Sequence, residues 1–181
     1  MFEMTAGGVR VRLGFGFFAM VLFYYYLFDS KTAVLTAALS ACFLHELGHL
    51  AVMLLLGEKP RAVCLYAGGM KILPPYHLTD RTKQTLILSA GCAVNLLFAG
   101  VSMLIGAEEM LRVHLTAGLL NLLPFSALDG GRLMELYLPT KVRRAAAVLS
   151  AVIIALGIRA TGVCFGALLI AVFAAAAEFA M

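Results

Sequence analysis

Charge is scarce in this 181-residue chain: 13% of its residues are Asp, Glu, Lys or Arg, while 62% are hydrophobic. A water-soluble core of this length neither needs so much apolar material nor has the polar surface to cover it, so a soluble globular domain is excluded. Cysteine is sparse too. Cys42, Cys64, Cys92 and Cys164 show no C-x-x-C spacing, which removes the usual redox and zinc-ribbon patterns. Three of them sit in apolar stretches, where a thiol behaves as a small hydrophobe. The net charge of +4 does not point to nucleic acid, because surplus Lys and Arg in a membrane protein mark its cytoplasmic side.

What is present is a series of long apolar stretches, at 13–28, 32–57, 85–107, 113–138 and 145–179. A bilayer core about 30 Å thick takes roughly 20 apolar residues per helix. The last stretch overshoots that by far and is interrupted by Gly157, Arg159 and Gly162, so it divides into 145–158 and 160–179. The expected fold is an all-α polytopic membrane protein of about six transmembrane helices. It forms a single domain over 1–181 with no additional soluble domain. The first stretch follows Arg10 and Arg12 like the start of a secretory signal, but no small-residue cleavage site follows it, so it is read as a retained helix.

Six spans with the N-terminus inside place Arg10, Arg12, Lys59, Arg61, Lys71, Arg81, Lys83, Arg132, Lys141, Arg143 and Arg144 in the cytoplasm. Lys31, Arg112 and Arg159 alone fall outside. The positive-inside rule therefore orients both termini toward the cytoplasm, and the expected location is a bacterial cell membrane. The run Tyr24-Tyr25-Tyr26 near the outer end of the first span fits an interfacial aromatic belt.

After the second span the helical pattern fails. Ala62-Val63-Cys64-Leu65-Tyr66, then Gly68-Gly69, then Met70-Lys71-Ile72-Leu73 before Pro74-Pro75, reads as a short membrane-associated β-hairpin. Non-helical backbone at membrane depth is tolerated where protein or a water-filled cavity satisfies it, and the hairpin hints at such a cavity.

His45-Glu46-Leu47-Gly48-His49 is an H-E-x-x-H sequence within the second apolar stretch. Four residues are slightly more than one turn, so both imidazoles share a face and can address one tetrahedral Zn²⁺, with Glu46 beside the remaining position as a base. Three ionisable groups at mid-membrane cost several kcal/mol unless they compensate one another, and they mark a functional site by default. A catalytic zinc needs a third protein ligand. Most carboxylates lie near span ends, leaving Asp129 and Glu135. Asp129 is the better choice, about three residues or ~5 Å past the midpoint of its stretch, whereas Glu135 is more simply the i,i+3 partner of Arg132. Pro124 and Gly130-Gly131 predict that the helix over 113–138 is broken near 124. Asn121 and the freed carbonyls are then available to a substrate.

These segments resemble the site-2 protease family of zinc intramembrane metalloproteases, especially the short branch that includes stage IV sporulation protein FB. His45 to His49 carry the resemblance, together with Asn121 to Gly131, similar to N-x-x-P-x-x-x-L-D-G-G, and Gly91 with Asn95, similar to G-P-x-x-N. Cys92 and Ala127 stand where that family often has proline. The resemblance implies one zinc per chain on His45, His49 and Asp129, Glu46 as the catalytic base, and access from the cytoplasm. It also implies a transmembrane or membrane-associated protein substrate, such as a precursor of a sigma factor or an anti-sigma factor, and partnership with regulatory membrane proteins.

A helical substrate must be unwound before hydrolysis. The hairpin at Gly68 and Gly69 is placed to hold it as an added strand, with Asn121 and Asn95 fixing its backbone groups. A plain interhelical hydrogen bond is an equal reading of Asn95. His77 and His114 read as solvated or interfacial residues. A metal transporter and a catalytically silent membrane adaptor are the rival functions; neither requires Glu46 between the histidines.

Overall fold

The computed structural model describes residues 2–6, 9–27, 32–66, 69–75 and 78–161. The chain divides into two compact units, the first ending at Gly118 and the second beginning at Leu119.

The first unit opens with two strands that the expected all-α fold did not contain, β1 (Phe2–Ala6) and β2 (Val9–Leu13). Helices α1 (Phe15–Leu27) and α2 (Thr32–Leu55) follow, and then the predicted hairpin, β3 (Ala62–Tyr66) with β4 (Gly69–Leu73). The strands form one sheet in the order β1-β2-β3-β4. β1–β2 and β3–β4 are antiparallel, while β2 and β3 run parallel with Val11 opposite Val63. Parallel neighbours need a crossover connection, and here α1 and α2 supply it. Gly14, just past β2, extends the pairing by donating its N–H to the Leu65 carbonyl at 2.7 Å. Val9-Arg10-Val11-Arg12-Leu13 alternates as a strand should. Its arginines, which in sequence read as flanking charge for the first span, are strand residues.

Helices α3 (Arg81–Leu104) and α4 (Glu108–Asn121) follow the sheet. Asp80 caps α3, its carboxylate accepting from the N–H groups of Thr82 and Lys83. Gly57 and Gly106, at φ 76° and 70°, end α2 and α3. At each end the following N–H reaches back five residues, from Glu58 to the Met53 carbonyl and from Ala107 to that of Ser102. This is the Schellman closure that left-handed glycine permits. Lys83 of α3 pairs at 2.7 Å with Glu58, just past the end of α2.

Packing between α2 and α3 is inverted relative to a soluble core. Most buried positions are small or polar, including Ala37, Ala41, His45, Gly48 and His49 on α2 and Ala90, Gly91, Asn95 and Ala99 on α3, with Met53 and Ile87 the large apolar exceptions among the described residues. Large apolar side chains point outward instead, Leu55 being 84% exposed, Leu97 65% and Leu104 87%. Small residues let helix backbones approach, and lipid is the solvent in which large apolar residues prefer the outside. Among the described residues Thr36–Leu55 and Arg81–Leu104 are long and apolar enough to cross a membrane.

The second unit holds the end of α4, the segment 122–128, and helices α5 (Asp129–Tyr137) and α6 (Thr140–Thr161). The predicted break near 124 is present, with α4 stopping at Asn121. Phe125 folds inward, 1% exposed, against Ala147, with Leu123, Leu128 and Ala151 around it. A Cβ at Gly130 would overlap the Leu122 carbonyl, and one at Gly131 that of Phe125, so both glycines let the 122–128 segment lie on the first turn of α5. Arg143, 3% exposed, pairs with Glu135 at 2.9 Å and donates to the Pro124 carbonyl at 3.5 Å. Glu135 thus pairs with α6 and not with Arg132 in its own helix as expected. The longer reach joins α5, α6 and the 122–128 segment, which an i,i+3 pair cannot do. α6 continues through Gly157 and Arg159, where a boundary was expected; a single glycine costs a helix interior only about 1 kcal/mol. The rest of the expected span 160–179, Cys164 included, lies outside the described residues.

The close approach of α2 and α3 yields a paired prediction. A Cβ at Gly48 would lie 2.9 Å from both the Ala90 carbonyl oxygen and Val94 Cγ2, whereas Gly100 has nothing within 4 Å. Gly48→Ala should destabilise the protein by about 1–3 kcal/mol through overpacking. Gly100→Ala should be neutral or stabilise by up to about 1 kcal/mol. Unfolding of the two variants in one detergent measures both.

Candidate metal centre

Helix α2 carries His45, Glu46 and His49, and its stripe at 37, 41, 45 and 49 faces α3. At about 100° per residue, His49 lies about 40° round the helix from His45, and Glu46 about 60° beyond His49 on the half-buried flank. The two imidazoles converge. Their Nε2 atoms are 3.0 Å apart, and the rings stand edge to face with centroids 4.7 Å apart. His45 is 6% exposed and His49 7%.

Each ring is held from behind. His49 Nδ1 lies 2.6 Å from the Ile87 carbonyl, which only accepts, so the proton sits on Nδ1 and the lone pair on Nε2. His45 Nδ1 lies 3.2 Å from the side-chain nitrogen of Asn95. Asn95 is fully buried, and its oxygen lies 3.2 Å from Nδ1 of His114. Asn95, offered to a substrate by the sequence reading, therefore sits between two histidines, in line with the interhelical hydrogen bond weighed beside it.

Gly91 explains how α3 accommodates this. It lies one turn before Asn95 on the same face, and a Cβ there would stand 2.5 Å from His49 Nε2 and 2.7 Å from His45 Nε2. The space that a side chain would fill is where the two donors point. Two nitrogens on a tetrahedral zinc with bonds of about 2.0–2.1 Å sit about 3.3 Å apart, a few tenths more than the observed separation. The imidazole pair, the Nδ1 contact of His49 and the cradle at Gly91 fit a metal ion.

His114 differs from its expected place. It is 1% exposed, stacks on Phe98 at 5.4 Å, and is buried rather than solvated. The signal was available in the chain: an ionisable residue on an apolar helix must find a partner, and Gly118 one turn later allows close approach, its Cβ position lying 3.4 Å from Asn95 Cβ. His77 lies outside the described residues, as does Gly68, while Gly69 begins β4.

In the second unit Asp129 is the first residue of α5 and is 8% exposed. A carboxylate in the first turn of a helix is favoured by the unpaired N–H groups there. Asn121 is the half-buried last residue of α4.

No protein-family profile matches the chain, and no curated protein matches it. Among solved structures it is similar to the Site-2 Protease from Methanocaldococcus jannaschii, at 18% sequence identity and a TM-score of 0.64. The similarity covers 98% of this chain and 94% of that one. This chain therefore shares its architecture with a site-2 protease.

Proposed function

We propose that the protein is a zinc-dependent intramembrane endopeptidase that hydrolyses a peptide bond in or near a transmembrane segment of a membrane-associated protein. The observation that carries this reading is the convergence of two buried imidazole nitrogens on an apolar helix, with a carboxylate at the adjoining position. In this reading one zinc per chain is held by His45, His49 and Asp129. The donor set suits it, since two imidazoles and a carboxylate are a common catalytic zinc ligation that keeps a fourth position open. The shared architecture supports the class of reaction, and the charge asymmetry of the loops supports a multi-pass membrane protein with cytoplasmic termini.

Zinc, when bound, supplies Lewis acidity toward the scissile carbonyl and makes water a nucleophile near neutral pH. Glu46 takes the proton from the attacking water and returns it to the leaving amine nitrogen. A transmembrane substrate must lose its helical hydrogen bonds to be cut. β4 is an edge of the sheet, pairing among described strands with β3 alone, and receives the unwound segment as a further strand while Asn121 holds its backbone groups. Chemically, such a substrate is a membrane-tethered precursor or regulator, a precursor of a sigma factor being the type that resemblance to the sporulation branch suggests and an anti-sigma factor the type that sister proteins suggest.

Cleavage of a co-expressed membrane-tethered reporter tests the reading. Glu46→Gln should retain zinc and lose activity by about 10²–10⁴-fold, the usual contribution of a general base. Asp129→Asn should lower metal content and activity together. Retention of full cleavage by Glu46→Gln removes the assigned base, and zinc flux into vesicles by the parent makes it a transporter.

The strand-addition step has its own test. Deleting 67–70 should reduce cleavage while leaving zinc content unchanged. Undiminished turnover in that variant eliminates β4 as the substrate-holding edge.

A further inference from the structure

The sheet edge that receives substrate in the proposed reaction carries a charge pattern of its own. Residues opposite one another on neighbouring strands point to the same face, and successive residues of one strand alternate between faces. The register therefore sorts the four strands into levels. One level runs Glu3, Arg12, Cys64, Lys71 across β1, β2, β3 and β4. The levels on either side of it point to the opposite face and are apolar, with Leu13, Leu65 and Met70 in one and Val11, Val63 and Ile72 in the other.

Within the charged level the two ends of the sheet differ. At the β1 end Glu3 pairs with Arg12 at 3.4 Å. At the β4 end Lys71 is exposed, and among the described residues it has no ion pair. The level reads negative, positive, neutral, positive, and its last cation lies on the open edge.

A strand added beside β4 lies about 4.8 Å from it and brings its own residues into these levels, whether it runs parallel or antiparallel. The residue beside Lys71 joins the face that holds Arg12 and Lys71. A carboxylate there completes for Lys71 what Glu3 completes for Arg12, whereas a lysine or arginine meets like charge. The residues before and after it lie beside Met70 and Ile72, where apolar side chains continue the apolar face. Hydrophobicity alone does not distinguish one transmembrane segment from another, because all of them share it. A carboxylate at one fixed register does.

We propose that Lys71 is a specificity-determining residue, selecting a substrate segment that reads apolar, acidic, apolar, with the acidic side chain beside Lys71. The inference rests on the proposed addition of substrate to β4 and narrows the substrate class to membrane proteins with a carboxylate at that register. A lysine on an edge strand is a general guard against unwanted strand pairing. Here the guard is selective, since it rejects a cationic strand and admits one with a carboxylate at the matching position.

The test uses the full-length, zinc-loaded protein in detergent and a membrane-tethered reporter whose residues around the cut are apolar and uncharged. Glu, Gln or Lys is placed at each of those positions in turn, and kcat/KM is read. At one position Glu should be cleaved about three- to tenfold better than Lys, the scale of a gained pair set against a like-charge contact across strands, with Gln between them. Lys71→Glu should invert the order at that same position, Lys71→Arg should keep it, and Lys71→Gln should level it. Lys71 is exposed, so these variants change charge without disturbing a packed core. A structural role for Lys71 would lower cleavage of all reporters together and would not invert their order. Equal cleavage of the Glu, Gln and Lys reporters by the parent at every position overturns the inference and leaves the protease reading standing. A preference for Glu that Lys71→Glu leaves unchanged also overturns it. Absence of Glu46-dependent cleavage from every reporter overturns the protease reading and the inference together.

Discussion

The first unit is built around one constraint: a polar side chain buried between apolar helices must have its hydrogen bonds made by other protein groups. In lipid no water is at hand to repair a missing partner. The stripe of α2 that carries His45 and His49 meets this demand through α3, which supplies the Ile87 carbonyl and the Asn95 amide. Asn95 in turn needs a partner for its far end, and that need brings His114 of α4 into the centre of the unit. Three helices are tied together by satisfying one another's polar groups rather than by large apolar side chains.

The same constraint explains the composition of the helix faces. Polar groups reach one another only if backbones come close, so the contact surfaces carry Ala37, Ala41, Gly48, Ala90 and Gly91. Bulk is moved to the outside, where Leu55, Leu97 and Leu104 are exposed. A soluble protein built this way would show water a large continuous apolar surface. The sheet serves the arrangement by fixing both ends of the α1–α2 pair. β2 leads into α1, the Gly57 closure leads α2 toward β3, and the parallel pairing of β2 with β3 brings the two ends to one side. The second unit solves a comparable problem locally. Gly130 and Gly131 clear space for the 122–128 segment, and Arg143 fastens it through the Pro124 carbonyl, so that Asp129 begins its helix at a fixed, buried position.

How much of this was legible follows from the range of each interaction. The histidine pair, the hairpin of 62–73 and the break before Asp129 depend on residues close in sequence, and periodicity, glycine and proline announce them. β1 and β2 pair with each other over a short stretch of chain, so range does not hide them; the alternation of 9–13 is masked because Arg10 and Arg12 also read as flanking charge for the first span, while the parallel partner β3 lies about fifty residues later. Glu135 illustrates the same bias, since a neighbour at i,i+3 was preferred to Arg143 on the next helix. His114 was assigned to the interface by its position near the start of a span. The rule that a buried ionisable group needs a named partner holds for His114 as it does for His45.

An H-E-x-x-H sequence is thus a small part of what makes a metal site here. It places two imidazoles on one face, but it says nothing about which nitrogen of each carries the proton. A carbonyl answers that question for His49, because it can only accept. An amide answers it for His45, and an amide can do either, so the decision passes outward to His114 and Ser40. The two histidines of one motif are therefore held by partners of different kind, one fixed and one reversible.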